Sequence, residues 1–101
     1  MRFIALACAI ALTATDVRAE DFYKDKSIRL IIGTDAGGGY DFSARLVARH
    51  IARSIPGSPQ IVIQNMPGAD SLVAANYIYN VAPQDGTVVG ALVQTLPQLQ
   101  L

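Results

Sequence analysis

Three consecutive glycines, Gly37, Gly38 and Gly39, are followed by Tyr40 and Asp41. Glycine allows the backbone to approach a ligand closely, and a helix that begins after such a loop presents free N–H groups and the positive end of its dipole. Residues 37–41, named here the glycine loop, therefore have the chemistry of a noncovalent anion-binding site. The same glycines are equally compatible with a tight strand-to-helix turn that binds nothing.

The nucleotide-binding motifs that use this chemistry do not fit the glycine loop. Counted from Gly33, a P-loop requires lysine and then serine or threonine where the chain has Gly39 and Tyr40. A dinucleotide fingerprint that starts at Gly37 needs its third glycine at the position of Phe42. The pattern therefore predicts no nucleotide cofactor.

The residues with catalytic potential are isolated from one another. Ser43 lacks the Gly-x-Ser-x-Gly surroundings of a nucleophile elbow, and His50 is the only histidine. These two residues are about two turns apart on one predicted helix, which is beyond hydrogen-bond reach. His50 has no partners at metal-ligand spacing, and the single cysteine, Cys8, lies in the N-terminal apolar run. We therefore expect a protein without enzymatic activity, metal or cofactor.

The composition describes one small domain without a charge bias. The chain has 101 residues, of which 51% are hydrophobic and 16% charged, with eight basic and eight acidic residues. Such a composition excludes an intrinsically disordered chain. It also provides no basic field for holding nucleic acid, so no nucleic-acid partner is expected.

The N-terminus has the three parts of a secretory signal peptide. Arg2 precedes the apolar residues 3–12, and Val17, Arg18 and Ala19 lead into the polar residues 20–21. Ten apolar residues are about half of the roughly 20 that a membrane-spanning helix needs. We predict export to the periplasm with cleavage after Ala19, which leaves residues 20–101 as the mature chain.

Five segments that alternate between strand and helix patterns must position the glycine loop. We predict strands at residues 28–32, 61–63 and 87–93 and helices at residues 42–55 and 69–80. Asp41 is expected to cap the first helix. The order predicts an α/β fold whose parallel sheet has the strand order 2-1-3 and helices on both faces, because the first strand is apolar on both faces and is therefore expected to be central. The glycine loop then starts at the topological switch point, the place where α/β sheets bind ligands.

Helical periodicity predicts which side chains face the core. The residues expected to face inward are Ala44, Val47, Ala48, Ile51 and Ile55 in the first helix and Leu72, Ala75, Ile78 and Tyr79 in the second. A separate stripe on the first helix, predicted to be solvated, consists of Arg45, Arg49 and Arg53.

Several short motifs follow one another in a fixed order along the chain. They are Ile28-Arg29-Leu30-Ile31, Gly37-Gly38-Gly39-Tyr40-Asp41, Ala44-Arg45, Asn65-Met66-Pro67-Gly68-Ala69, Ala74-Ala75-Asn76-Tyr77 and Pro83-x-Asp85-Gly86-Thr87. In these motifs and their spacing, nearly all of the mature chain resembles the start of the solute-binding proteins of tripartite tricarboxylate transporters, the Bug family.

The resemblance implies an exported receptor that closes two α/β domains around a small solute, often a carboxylate, and delivers it to a membrane permease. It implies that the glycine loop is the first ligand loop, where backbone N–H groups and ordered waters receive the carboxylate. A second loop would be formed by Pro67, Gly68 and Ala69. The ligand-binding residues that the resemblance implies are Gly37, Gly38, Gly39, Tyr40, Asp41, Pro67, Gly68 and Ala69.

Two positions depart from the family pattern. Asp35 stands where the family usually has proline, and Asp70-Ser71 replaces a pair of glycines after Ala69. Each aspartate places a carboxylate near an anion site, where like charges disfavour binding. These aspartates are either solvated turn residues or contacts for a solute that carries an amino group as well as a carboxylate.

The family's members are much longer chains. We therefore expect residues 20–101 to form an incomplete first lobe of the periplasmic-binding-protein type, without the far wall of the cleft. The third strand would leave an apolar edge, so we expect the isolated chain to fold poorly and to bind weakly. The alternatives are a gene remnant that binds nothing and a fragment that binds a protein partner.

Overall fold

The computed structural model of the protein describes residues 22–100. Its elements are strands β1 (Ser27–Ile32), β2 (Gln60–Asn65) and β3 (Val88–Ala91), helices α1 (Gly39–Ser54) and α2 (Leu72–Asn80), and a final 3-10 helix (Leu96–Gln100). The predicted alternation is confirmed, although β3 is shorter than predicted at both ends. No helix within residues 22–100 has the length and apolar character to cross a membrane. The predicted signal peptide and its cleavage site lie outside the described residues.

The three strands form one parallel sheet in the order β2-β1-β3, as predicted. The register pairs Leu30 of β1 with Ile63 of β2 and with Val89 of β3. Because β1 has a neighbour on each side, its residues Ile31 and Ile32 are fully buried. The predicted α/β fold with a central first strand is confirmed.

The two helices cover opposite faces of the sheet. Ile28 and Leu30 of β1 line a groove with the apolar side of α1. Between them in sequence, Arg29 donates a 3.0 Å hydrogen bond to the Tyr77 hydroxyl of α2. Since successive residues of a strand point to opposite faces, α1 and α2 lie on different sides of β1, as predicted.

Helix α1 begins at Gly39, three residues earlier than predicted, and the prediction that Asp41 caps it was wrong. Gly38 is the N-cap residue, with an extended backbone (φ −83°, ψ 177°) and no side-chain cap hydrogen bond. Asp41 is the third residue of the helix and is buried. The predicted helix began only at residue 42, after the glycines, whereas Gly39 forms part of the first turn of α1. From within that turn, the Asp41 carboxylate accepts a hydrogen bond from the preceding Gly37 N–H.

The predicted inward faces are confirmed only in part. Ala48 is buried, whereas Val47 and Ile51 are 55% and 44% exposed, because a sheet of three strands covers only part of the apolar side of α1. The half-buried members of the predicted faces are Ala44, Ile55, Ala75 and Ile78. Leu72, at the start of α2, is 38% exposed.

The inward assignment of Tyr79 was wrong, since 83% of this residue is exposed. Helix α2 begins at Leu72 rather than Ala69, and it turns Ala74, which is fully buried, towards the sheet. Neighbouring residues of a helix are about 100° apart, so a face centred on Ala74 and Ile78 leaves Tyr79 outside.

The apolar side of α1 and the edge strand β3 are incompletely covered. The groove between α1 and the sheet encloses about 110 Å³ with apolar walls, and Val89 at its margin is 48% exposed. Poor folding of the isolated chain stays a prediction. Sucrose, which strengthens apolar burial without binding a site, is therefore a suitable medium for denaturant titrations of this chain.

Candidate functional site

The glycine loop and the second loop follow two neighbouring strands at the same edge of the sheet. The glycine loop comes after β1, and the second loop comes after β2. A 2.7 Å hydrogen bond from the Met66 N–H to the Ile32 carbonyl oxygen continues the pairing beyond β2 and holds the two loop origins together. The structure thus brings both predicted ligand loops to the carboxyl edge, next to the switch point between β1 and β3.

The glycine loop is open and leaves backbone donors free. A Cβ atom added at Gly37, Gly38 or Gly39 would meet no atom within 4 Å. The first α1 hydrogen bond runs from the Phe42 N–H to the Gly38 carbonyl at 2.9 Å. Within the described part of the chain, the N–H groups of residues 39–41 donate to no backbone or side-chain acceptor, as expected for the first turn of a helix. The loop therefore offers unpaired N–H groups at the positive end of the α1 dipole.

A hollow of about 310 Å³ lies between the start of α1 and the carboxyl end of β3. Tyr40 and Ser43 line it from α1, and Gly90 and Ala91 line it from β3. Tyr40 is 45% exposed at this position. The hollow is mainly apolar and adjoins the free N–H groups, so it could receive the carbon skeleton of a small solute.

Asp41 is the centre of a carboxylate network that consists of Asp41, Arg45 and Asn65. The Arg45 Nε donates to both carboxylate oxygens at 3.0 and 2.9 Å, and the Asn65 amide donates to Oδ1 at 2.8 Å. The Gly37 N–H donates to Oδ2 at 3.0 Å. Arg45, a member of the predicted solvated stripe, keeps 41% of its side chain exposed, but its guanidinium turns towards Asp41 because the two residues are one helical turn apart.

The network keeps Asp41 ionised. The hydrogen bond from Arg45, followed by those from Asn65 and from the Gly37 N–H, lowers the pKa of Asp41 from 3.8 to about 2. Each of these donors favours the charged carboxylate. Asp41 therefore remains a hydrogen-bond acceptor at neutral and mildly acidic pH.

Acidification is expected to release the Gly37 amide in a late transition. Because folding lowers the pKa of Asp41, the contribution of its carboxylate to the stability of the fold is fully present above pH 3.8 and is lost as the pH falls through about 2. Following the Gly37 amide signal by NMR tests this. The Thr87 amide, which donates to Asp85 near the start of β3, is the control for acid effects elsewhere. A Gly37 midpoint at or above pH 3.8 would contradict the network.

The second loop is built from left-handed backbone conformations. Gly68 has φ +134°, and Ala69, Asp70 and Ser71 follow with φ of +46°, +50° and +71°. Glycine adopts such angles without strain, which gives a physical reason for a glycine-rich pattern at this point. Asp70 and Ser71 adopt here the conformations that glycine prefers.

Ala69→Gly is expected to raise the free energy of unfolding by about 0.5–1 kcal/mol, because relief of left-handed strain outweighs the added entropy of the unfolded chain. Denaturant titration in sucrose measures the change. Ala75→Gly inside α2 is the matched control, with an expected loss of about 1 kcal/mol. A loss of stability in both variants would show that Ala69 is not strained.

Ser71, which the sequence marked only as a departure from the family pattern, is fully buried. Its hydroxyl donates to the Gly33 carbonyl at 3.0 Å and accepts the Val93 N–H at 3.1 Å. It thereby ties the end of β1 to the segment after β3, directly beneath the switch point. Asp35 and Asp70 are both exposed, which agrees with their interpretation as solvated turn residues.

The remaining candidates have no partners that indicate chemistry. His50 is exposed, and its Nδ1 lies 2.8 Å from the Leu46 carbonyl oxygen in the preceding turn. Across residues 22–100, no three histidine, cysteine or acidic side chains come together at a metal-binding distance. The structure does not bring Ser43 and His50 into a catalytic arrangement with a third group.

The comparisons with known proteins place the chain beside two longer relatives. It is 34% identical over 85 residues to the UPF0065 protein in the gbd 5′ region of Cupriavidus necator, an alignment that covers 83% of this chain and 25% of the relative. It is 34% identical over 76 residues to the UPF0065 protein in the TAR-I ttuE-ttuC′ intergenic region of Agrobacterium vitis, with 74% and 21% coverage. No family model matches the chain. The chain therefore spans about a quarter of one relative and a fifth of the other.

Proposed function

We propose that this chain forms the N-terminal part of the first lobe of an exported solute-binding receptor, which captures a small carboxylate for a tripartite tricarboxylate-type permease. Both relatives carry the UPF0065 designation, which belongs to the Bug or tripartite tricarboxylate receptor proteins. The parallel 2-1-3 sheet agrees with a partial lobe of such a receptor. The carboxylate nature of the solute and the partnership with a permease are parts of this proposal.

One observation carries the proposal: the α1 N-terminus is open at the switch point. Its free N–H groups, the helix dipole and the adjoining hollow form half of a site for an anionic group on a small carbon skeleton. Gly38 and Gly39 need no positive φ, and they have open space around them. Their lack of side chains is therefore explained better by a ligand that approaches the backbone than by the fold.

The proposal is binding without catalysis. The polar side chains that form the network at the base of the glycine loop, Asp41, Arg45 and Asn65, are engaged with one another and with the backbone. None of them is free to act as a nucleophile or a general base. The loop amides can hold an anion but cannot transform it.

Export and the permease partner rest on sequence and similarity. The signal-peptide pattern of residues 1–19 supports secretion across the inner membrane. Expression of the full chain in a Gram-negative host, followed by N-terminal sequencing of the periplasmic fraction, tests this. A mature protein that begins at Glu20 is the expected result, and an uncleaved cytoplasmic product would contradict export.

NMR titration of the ¹⁵N-labelled chain with succinate or citrate tests binding. A single loop wall should bind at about millimolar strength, or about 4 kcal/mol, with the largest shifts at the amides of residues 38–41. Succinamide is the matched neutral control and should produce no such shifts. Equal shifts with succinamide, or none with any carboxylate, would contradict the proposed function and leave the alternative of a chain that binds no solute.

A further inference from the structure

We propose that Arg45 and Asn65 are positioning residues of the anion site: acting through the Asp41 carboxylate, they fix the Gly37 amide and with it the glycine loop in a binding geometry. This inference rests on the proposed function and deepens it. It assigns Asp41 to the support of the loop rather than to contact with the solute.

The contacts of the network form a closed ring between two elements, α1 and β2. Asp41 and Arg45 belong to the first two turns of α1, and Asn65 is the last residue of β2. Besides their bonds to the carboxylate, Arg45 Nη2 donates to the Asn65 Oδ1 at 2.9 Å. The Asn65 Nδ2 also donates to the Thr34 carbonyl at 3.0 Å. The ring therefore holds the backbone at Thr34 and at Gly37, on both sides of the turn that leads into the loop.

A loop with three glycines needs such anchors. Glycine loses more conformational freedom on ordering than any other residue, so a free loop would weaken binding by the cost of fixing it. Gly37 has a positive φ of +94°, and within residues 22–100 its N–H has the Asp41 carboxylate as its hydrogen-bond acceptor. The network thus fixes the backbone at the start of the loop before a ligand binds, while the N–H groups of residues 39–41 stay free to bind it.

The charge of the network is arranged so that Asp41 does not oppose the anion. A bare carboxylate on Asp41, whose own N–H is one of the free donors, would repel a carboxylate ligand. Here Asp41 is 4% exposed, and Arg45 balances its charge at 2.9 Å. The carboxylate can thus anchor the loop with little electrostatic cost to the site.

Asp41→Asn separates positioning from charge, because the two effects have opposite signs. If Asp41 acts on the ligand only through its charge, its removal leaves Arg45 unbalanced and tightens carboxylate binding. If Asp41 positions the loop, the variant binds more weakly, by about tenfold, since the ring then has mismatched donors. Titration with citrate at neutral pH measures the difference, and tighter binding would overturn the inference.

Arg45 and Asn65 are tested with a matched control. Arg45→Gln and Asn65→Ala are each expected to weaken citrate binding several-fold, whereas Arg49→Gln, which removes an equal charge from an exposed position on α1, should change it little. Arg45→Lys keeps the charge but not the planar fork that serves Asp41 and Asn65. Full affinity in Arg45→Lys would show that Arg45 acts by charge attraction and would overturn its positioning role.

A readout without ligand distinguishes this inference from the proposed function. Amide hydrogen exchange at Gly37 should accelerate in Asp41→Asn, Arg45→Gln and Asn65→Ala, while exchange at Ile31 in the core reports whether each variant is folded. Unchanged exchange at Gly37 in the folded variants would overturn the positioning role. Faster Gly37 exchange in a chain whose wild type binds no carboxylate would support positioning of the loop while contradicting the proposed function.

Discussion

Gly33→Ala is expected to destabilise the chain by about 3 kcal/mol or more, enough to prevent folding without an osmolyte. A Cβ atom at Gly33 would lie 2.3 Å from the Ser71 Oγ and 2.6 Å from the Ser71 Cβ. Both residues are buried where β1 ends, and the Ser71 hydroxyl is held by Gly33 and Val93. Ser71 therefore cannot move aside without breaking its own hydrogen bonds.

A double-mutant cycle identifies the cause of this loss. Ser71→Gly removes the two clashing atoms and suits the φ of +71°, although it gives up two hydrogen bonds. In that background, Gly33→Ala should cost much less than it does alone. Gly39→Ala, which adds the same methyl group in open space, is the control. Urea titration in sucrose gives the four stabilities, and additive effects would show that Ser71 does not set the requirement for glycine.

Ile31→Ala is expected to lower the free energy of unfolding by about 2–5 kcal/mol. Ile31 is fully buried in the central strand and belongs to a small core in which alanines hold several of the positions. The remaining side chains are too small to fill the space that the substitution leaves. Such a loss is a large part of the stability of a small domain.

Val62→Ala provides the comparison for Ile31→Ala. Val62 lies on β2 and is 45% exposed, so its truncation should cost less than about 1 kcal/mol. Denaturant titrations of the two variants in sucrose test the difference. Equal losses would mean that β1 is not the centre of the core, contrary to the strand order.

The fold could be predicted from the sequence because its main signals are local. The nearly continuous apolar stretch that ends at Ile32 predicted a strand buried on both faces, and the alternation of elements then left one arrangement with β1 in the centre. The position of the glycine loop at the carboxyl edge followed from that order. This inference depended mainly on the strand order and on the right-handedness of crossovers between parallel strands.

The details of the site could not be predicted because they depend on contacts between distant residues. The spacing of Asp41 and Arg45 is a helical pair that pattern reasoning could have identified, but a regular arginine stripe suggested solvent exposure instead. The contact of Asn65 with Asp41 spans 24 positions, and that of Ser71 with Gly33 spans 38. Neither pair leaves a periodic signal.

The central claim is that the glycine loop binds an anion through its backbone. The most direct test compares carboxylate titrations of the wild-type chain and the Gly38→Ala/Gly39→Ala variant, with NMR shifts at residues 38–41 as the readout. Both added methyl groups enter open space, so the change in stability should be within about 1 kcal/mol. We expect a folded variant that binds citrate at least about tenfold more weakly, because the methyl groups hinder approach to the N–H groups. Undiminished citrate binding in the folded variant would contradict the central claim.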